Sequence, residues 1–386
     1  MKKLCVLFLL AAAVTTAFSA KYDAAYADEG LLVGAKSACV MEADGGEVIF
    51  SKGDDKRLPI ASMTKIMVLD IVFEKIEQGE LTFEENVTVS ERASGMGGSQ
   101  VFLRANENYT VDELIKSVIV ASANDSSVAL AEKIAGSQEA FVDLMNERAK
   151  LWGMDNTCFA NATGLPGGKQ YSTARDVSVM FRKLISYDKF FEYSNIWLDS
   201  FHHPDGKYTT ITNTNKLIRR YQGCDGGKTG YTADAGFCVA ATAKRGATRT
   251  ICVVLGEKSS DERFSEVSAA FDYVFANYGN KILVEKDEVL SEKVKIAGGM
   301  TDEAEVKSPE RVCAFYKRGE KHEYNVSFVP NDGLKAPIEK NSVVGEIILY
   351  KDGVEIKRFK AVSLEDIKEI TLKRAFEKAS ENWKVA

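Results

Sequence analysis

The sequence predicts an α+β fold: an antiparallel sheet with a helical block, followed by a small β-rich domain. Three features predict it. Residues 34–51 alternate around a turn at Asp44-Gly45-Gly46, helical patterns run from Ser62 to about residue 190, and strand patterns return after that. The chain has 386 residues, 45% of them hydrophobic, enough for a sizeable core and more than one domain.

The amino terminus comes first. Lys2 and Lys3 precede an apolar run from Leu4 to Val14, and of two cleavage points, after Ala20 and after Ala27, Ala25-Tyr26-Ala27 fits the small-x-small requirement better. Residues 1–27 are therefore expected to be an export signal, with the mature chain starting near Asp28 in the cell envelope or outside the cell. The apolar run is short for a membrane span. Six cysteines remain after the signal. They show no CxxC pairing, and Cys39, Cys238 and Cys252 lie in apolar strand-like runs, which favours buried thiols over disulfides.

The segment from Met63 to Val72 is almost wholly apolar, so its helix is expected to run through the core. Thr110 and Glu113 form a capping box, Asn124 or Asp125 is placed to cap the next helix, and Gly136 and Gly153 are placed to end helices. Residues 208–215, 228–243 and 248–256 read as strands, and 261–278 as a closing amphipathic helix. Short charged strands begin near residue 281, including a hairpin from Gly345 to Phe359 that turns at Lys351-Asp352-Gly353. The domains read as 28–280, 281–363 and a tail at 364–386. From Leu372 the tail lines up Leu372, Phe376, Ala379 and Trp383 on one helical face with lysines and Arg374 around it. Two readings stand there: a helix lying on an anionic membrane surface, and a terminal helix packed on its own domain.

Composition removes several function classes. A net charge of −6 with no basic cluster argues against nucleic acid as the partner. Of the three histidines, none belongs to an HExxH site, and no G-x-S-x-G elbow is present, so neither a metal nor a Ser-His-Asp triad is expected. A hydrolase here needs a base other than histidine.

Ser62-Met63-Thr64-Lys65 supplies one. On a helix, positions i and i+3 share a face, so the Lys65 amine reaches the Ser62 hydroxyl. Burial and a nearby second cation would hold the amine neutral, and amide groups at the helix start can face a developing oxyanion. Alone the pattern is weak, since S-x-x-K arises about once or twice by chance in a chain this long, and Ser186-Tyr187-Asp188-Lys189 is a second match. Two further elements give it weight. Ser122-Ala123-Asn124 sits between two helical segments, where a hydroxyl and an amide can enter a cleft. Lys228-Thr229-Gly230 leads into a strand in which Gly230 leaves an edge bare for an extended peptide, while Lys228 and Thr229 suit a terminal carboxylate.

Ser-x-x-Lys, Ser-x-Asn and Lys-Thr-Gly in this order resemble the penicillin-recognising serine enzymes, and among them the low-molecular-mass penicillin-binding proteins that act as D-alanyl-D-alanine carboxypeptidases. Ser99-Gln100, Asn161 through Pro166, Tyr171-Ser172 and Asp225 through Gly230 extend the resemblance over roughly residues 34–278. It implies the penicillin-recognising fold, peptidoglycan stem peptides as substrate, β-lactams as covalent inhibitors and no cofactor. It implies Ser62 as nucleophile, Lys65 as general base and Ser122 as proton relay. Asn124 would hold the substrate carbonyl, Lys228 would tune the electrostatics, Thr229 would bind the terminal carboxylate, and the amides of Ser62 and Tyr231, beside Gly230, would receive the oxyanion. Arg263 matches an arginine that orients the carboxylate. Many relatives carry His where Tyr231 stands, and some where Thr163 stands. Residues 158–170 contain no Glu or Asp to activate a deacylating water, which sets the chain apart from a serine β-lactamase. A D,D-endopeptidase that cuts cross-links shares the same motifs. A silent wall-binding or β-lactam-sensing protein would have no need of a base beside the serine.

Overall fold

The computed structural model describes residues 30–383, without the side chains of 378–383. The export signal expected at 1–27 lies outside them.

The hairpin expected at the start forms as β1 (Ser37–Glu42) and β2 (Val48–Lys52), paired antiparallel. A 3-10 turn at Ala61–Thr64 leads into α1 (Lys65–Glu77). Every residue of α1 from Lys65 to Phe73 is buried, as its almost wholly apolar run requires. The helical block then contains β3 (Asn86–Thr88), α2 (Glu91–Ser94), β4 (Asn108–Thr110), α3 (Val111–Val120), α4 (Asn124–Ala135), α5 (Gln138–Leu151), α6 (Ala174–Leu184) and α7 (Asp188–Ser194). The Thr110/Glu113 capping box opens α3, and Gly136 closes α4 at φ +77.

A hairpin of β5 (Leu198–His202) and β6 (Tyr208–Thr212) follows, then α8 (Leu217–Arg220), β7 (Cys224–Thr232), β8 (Gly236–Arg245), β9 (Thr248–Glu257) and α9 (Ser260–Asn277). The strand expected across 228–243 is thus two strands with a tight turn between them. The main sheet is antiparallel in the order β2-β1-β9-β8-β7, which leaves β7 at an edge. Alternate residues feed two cores. Cys39, Met41, Ala240 and Val253 join the helical block, whereas Ala38, Val40, Val239 and Val254 pack with Phe264, Val267 and Phe271 of α9. Burial on both faces is why these strands read as nearly continuous apolar runs.

The trailing unit begins where β10 (Tyr278–Val284) leaves α9 and pairs with β13 (Val312–Lys317). With β11 (Val289–Lys295), β12 (Glu303–Lys307), β14 (Tyr324–Pro330), β15 (Val343–Lys351) and β16 (Val354–Ser363) it also builds a sheet in the order β11-β12-β16-β15-β14 over a third core. Across the junction Asn280 donates to Glu42 at 2.6 Å and Lys357 to the Gly45 carbonyl at 2.6 Å. The tail forms α10 (Leu372–Trp383), on which Leu372 and Phe376 are exposed. Among the described residues no helix is long and apolar enough to cross a membrane, and the six cysteines are free, five of them buried and Cys158 half-buried.

Candidate active site

Three segments that are distant in sequence meet at the start of α1. The 3-10 turn presents Ser62, the α3–α4 junction presents Ser122 and Asn124, and the edge strand β7 presents Lys228 through Tyr231. Ala61 at φ +48 and Ser122 at φ +61 are non-glycine residues in the left-handed region. Such conformations persist where surrounding structure enforces them, and they gather at working sites.

Lys65 is fully buried, with its amine 2.9 Å from the Ser62 hydroxyl and 2.7 Å from the Thr163 carbonyl. A neutral amine suits this pair, donating one N–H to the carbonyl while its lone pair accepts the serine O–H. Burial, and next the charge of Lys228, hold Lys65 well below the usual lysine range, with Asp125 opposing them. Lys228 is buried as well and bonds the Ser122 hydroxyl at 2.7 Å and the Thr229 carbonyl at 3.0 Å. Burial and then the Arg263 guanidinium bring it down to about 7.

The Thr163 carbonyl carries no sequence signal of its own, but the turn that aims it does. The Asn161 side-chain oxygen accepts from the amides of Thr163 and Gly164 and from the Thr163 hydroxyl, a local Asx-type turn. Gly164 sits at φ +81, and a Cβ there would stand 1.8 Å from the Ala61 carbonyl. Asn-x-Thr-Gly is therefore the support on which Ser62 and Lys65 rest.

Gly230 is needed for a related reason. A Cβ there would lie 2.9 Å from the Ile60 carbonyl and 3.0 Å from the Ser62 amide nitrogen. The bare edge expected for a peptide thus first lets β7 close on the serine turn, bringing the Ser62 amide beside Gly230 and Tyr231. Thr229 is buried next to them, and Tyr231 is exposed with its ring 4.4 Å from that of Phe237. Arg263 lies behind the strand, donating to the carbonyls of Gly230 at 3.3 Å and Cys238 at 3.1 Å. Its buried position on α9 draws it down to about 10.

The capping expected of Asn124 or Asp125 is met only in part: the Asp125 carboxylate accepts from the first-turn amide of Ser126 at 2.9 Å, while the Asn124 side chain points elsewhere. Ala123 is the cap residue, with no side-chain cap bond. Asn124 opens α4, donating its side-chain amide to the Gly97 carbonyl at 2.7 Å and its backbone amide to the Ser99 carbonyl at 2.7 Å. The Asp125 carboxylate turns to the same loop and accepts from the amides of Val101 and Leu103. Helix starts have amides to satisfy, but here a neighbouring loop offers more of them to one carboxylate than the cap position does. Ser186 and Lys189 take no part: Ser186 bonds the Lys183 carbonyl and Lys189 pairs with Glu192.

The family profile described as D-alanyl-D-alanine carboxypeptidase matches residues 24–259, and that of the penicillin-binding protein 5 C-terminal domain matches 278–369. The chain is 38% identical to D-alanyl-D-alanine carboxypeptidase DacF of Bacillus subtilis, covering 86% of each chain, and 32% identical to DacC of Escherichia coli, covering 94% of this chain and 90% of that one. Penicillin-binding protein 5 of Haemophilus influenzae superposes with a TM-score of 0.66 at 27% identity, over 87% of this chain and 98% of that one. Penicillin-binding protein D2 of Listeria monocytogenes, solved in an ampicillin-bound form, superposes at 0.57 with 30% identity over 64% and 99%. With both of its parts matched in order, the chain belongs to the D-alanyl-D-alanine carboxypeptidase family, serine peptidases of the low-molecular-mass penicillin-binding class.

Proposed function

We propose that the chain removes the terminal D-alanine from peptidoglycan pentapeptide stems outside the cytoplasmic membrane, through an acyl-enzyme on Ser62. The observation that carries this reading is the Ser62 hydroxyl 2.9 Å from a buried amine held well below its usual range. The Lys65 amine takes the hydroxyl proton as Ser62 Oγ attacks the carbonyl of the penultimate residue. The amides of Ser62 and Tyr231 receive the oxyanion. Ser122, bonded to Lys228, passes a proton to the departing D-alanine nitrogen, and water then hydrolyses the ester. Asn124 holds the substrate carbonyl. Thr229 and Lys228 face the terminal carboxylate, and Arg263 acts on it through the Gly230 carbonyl of β7 that it braces.

Benzylpenicillin is proposed to acylate the same serine, as the ampicillin-bound form of the Listeria relative suggests. Release is slow on this account, because the segment 158–170 offers Lys65 a backbone carbonyl and carries no carboxylate to activate water. The exposed Leu372 and Phe376 of α10, flanked by Lys373 and Arg374, support peripheral contact with an anionic membrane surface.

The test is release of free D-alanine from a pentapeptide stem ending in D-Ala-D-Ala, with Ser62→Ala as control. Release by the wild type alone supports the assignment. No release, or equal release by the variant, overturns it.

A further inference from the structure

The loop that holds Asn124 contains a conformation that the acylation chemistry does not require. Phe102 lies at φ +64, a region that bulky side chains avoid, and its ring is 59% exposed. A glycine would fit this backbone without strain, and a polar residue would suit the exposure. The chain instead sustains both penalties at one position. Among the described non-glycine residues at positive φ, Ala61 and Ser122 belong to the site itself.

The strain is enforced from below. Asp125 is fully buried, and its carboxylate accepts from Val101 N at 3.1 Å and Leu103 N at 3.0 Å, the amides on either side of Phe102. From the other side Thr209 Oγ1 donates to the Val101 carbonyl at 3.2 Å and Arg104 pairs with Asp205 at 2.7 Å. The backbone is thus clamped at residues 101 and 103 while the intervening side chain is turned out to water. The same loop bonds Asn124 through Gly97 and Ser99, so Phe102 follows closely on a direct contact of the residue assigned to the substrate carbonyl.

We propose that Phe102 is a specificity-determining residue of this site, an apolar wall against which the side chain of the residue preceding the two D-alanines packs, and that Asp125 is the positioning residue that holds it there. The proposal rests on the carboxypeptidase reading above. A peptide whose carbonyl is held at Asn124 continues upstream past the loop that grips Asn124, and the large exposed apolar group of that loop is this ring. An aliphatic stem between polar ends is the chemistry that such a wall selects, since the methylenes gain burial while the ends stay hydrated.

The test compares two substrates, an N-acyl-Lys-D-Ala-D-Ala and acetyl-D-Ala-D-Ala, which lacks the upstream side chain. Phe102→Gly removes the ring and suits the left-handed backbone, so the variant is expected to fold with a Tm at or above that of the wild type. The ratio of kcat/KM for the longer substrate to that for the shorter should fall about 10-fold, mainly through KM. Phe102→Leu should retain most of the ratio, and Asp125→Asn should lower it with the ring still present. An unchanged ratio in folded Phe102→Gly would overturn the proposal, as would an equal loss on both substrates, which would show that the ring acts through Asn124. Because the wild type must process both peptides for the ratio to exist, failure of the carboxypeptidase reading shows separately, as no D-alanine release at all.

Discussion

The Lys65 amine lies 2.9 Å from the Ser62 hydroxyl, and its second contact is the main-chain carbonyl of Thr163 at 2.7 Å. With no carboxylate among these two contacts, the amine is free to serve as a base. Lys65→Arg keeps the positive charge but fixes it, because a guanidinium stays protonated. Acylation by a fluorescent penicillin should then slow by about 10²–10⁴-fold in single-turnover measurements, the range of a lost general base. A rate within a few-fold of the wild type would assign the base to another group.

The pH profile should report the pair of buried lysines. On the proposed mechanism activity needs neutral Lys65, so kcat/KM should rise with pH through an acid limb set by that amine. The Lys228 charge opposes protonation of Lys65, and Lys228 carries that charge mainly below its own value of about 7. Lys228→Gln removes the repulsion, which makes Lys65 easier to protonate and moves the acid limb to higher pH. Measuring acylation against pH in both proteins checks the sign. A limb that moves to lower pH would contradict the assignment.

Two glycines set how closely the three segments approach. Gly164→Ala places a Cβ 1.8 Å from the Ala61 carbonyl at a positive φ, and Gly230→Ala places one 2.9 Å from the Ile60 carbonyl. Each should destabilise the fold by about 1–3 kcal/mol, with the larger loss at Gly164, where the contact is shorter and the backbone is also strained. Thermal unfolding gives the stability change, and residual penicillin binding by the folded fraction shows whether Ser62 has moved.

Membrane contact should depend on the apolar face of α10. Phe376 is 76% exposed, and Phe376→Glu replaces that apolar surface with a charge repelled by anionic lipid. Co-sedimentation with phosphatidylglycerol vesicles should fall about 10-fold in the variant. Equal sedimentation would show that this face of α10 plays no part in membrane contact.

Much of this arrangement is legible in local patterns. The Asp44-Gly45-Gly46 turn, the Thr110/Glu113 capping box, the buried run of α1 and the Lys351-Asp352-Gly353 hairpin each depend on residues near one another in sequence, and each stands in the structure as expected. What local patterns do not supply are contacts set by chain crossings. Asp125 reads as a helix cap because its neighbours in sequence begin a helix, and it does accept from the Ser126 amide, but its other partners are amides some two dozen residues earlier. Gly230 reads as an opening for a peptide, while its tightest neighbours are Ile60 and Ser62. Asn161 and Thr163 fall inside the family resemblance, yet their support of Lys65 runs through a backbone carbonyl, which leaves no mark on residue type.

The most direct test maps the acyl group. The protein is treated with benzylpenicillin, digested under acidic conditions and sequenced by mass spectrometry, with Ser62→Ala and Ser186→Ala in parallel. One adduct is predicted, on the peptide containing Ser62, lost in Ser62→Ala and kept in Ser186→Ala. An adduct on Ser186, or one that survives the Ser62→Ala change, would contradict the assignment of Ser62 as the nucleophile.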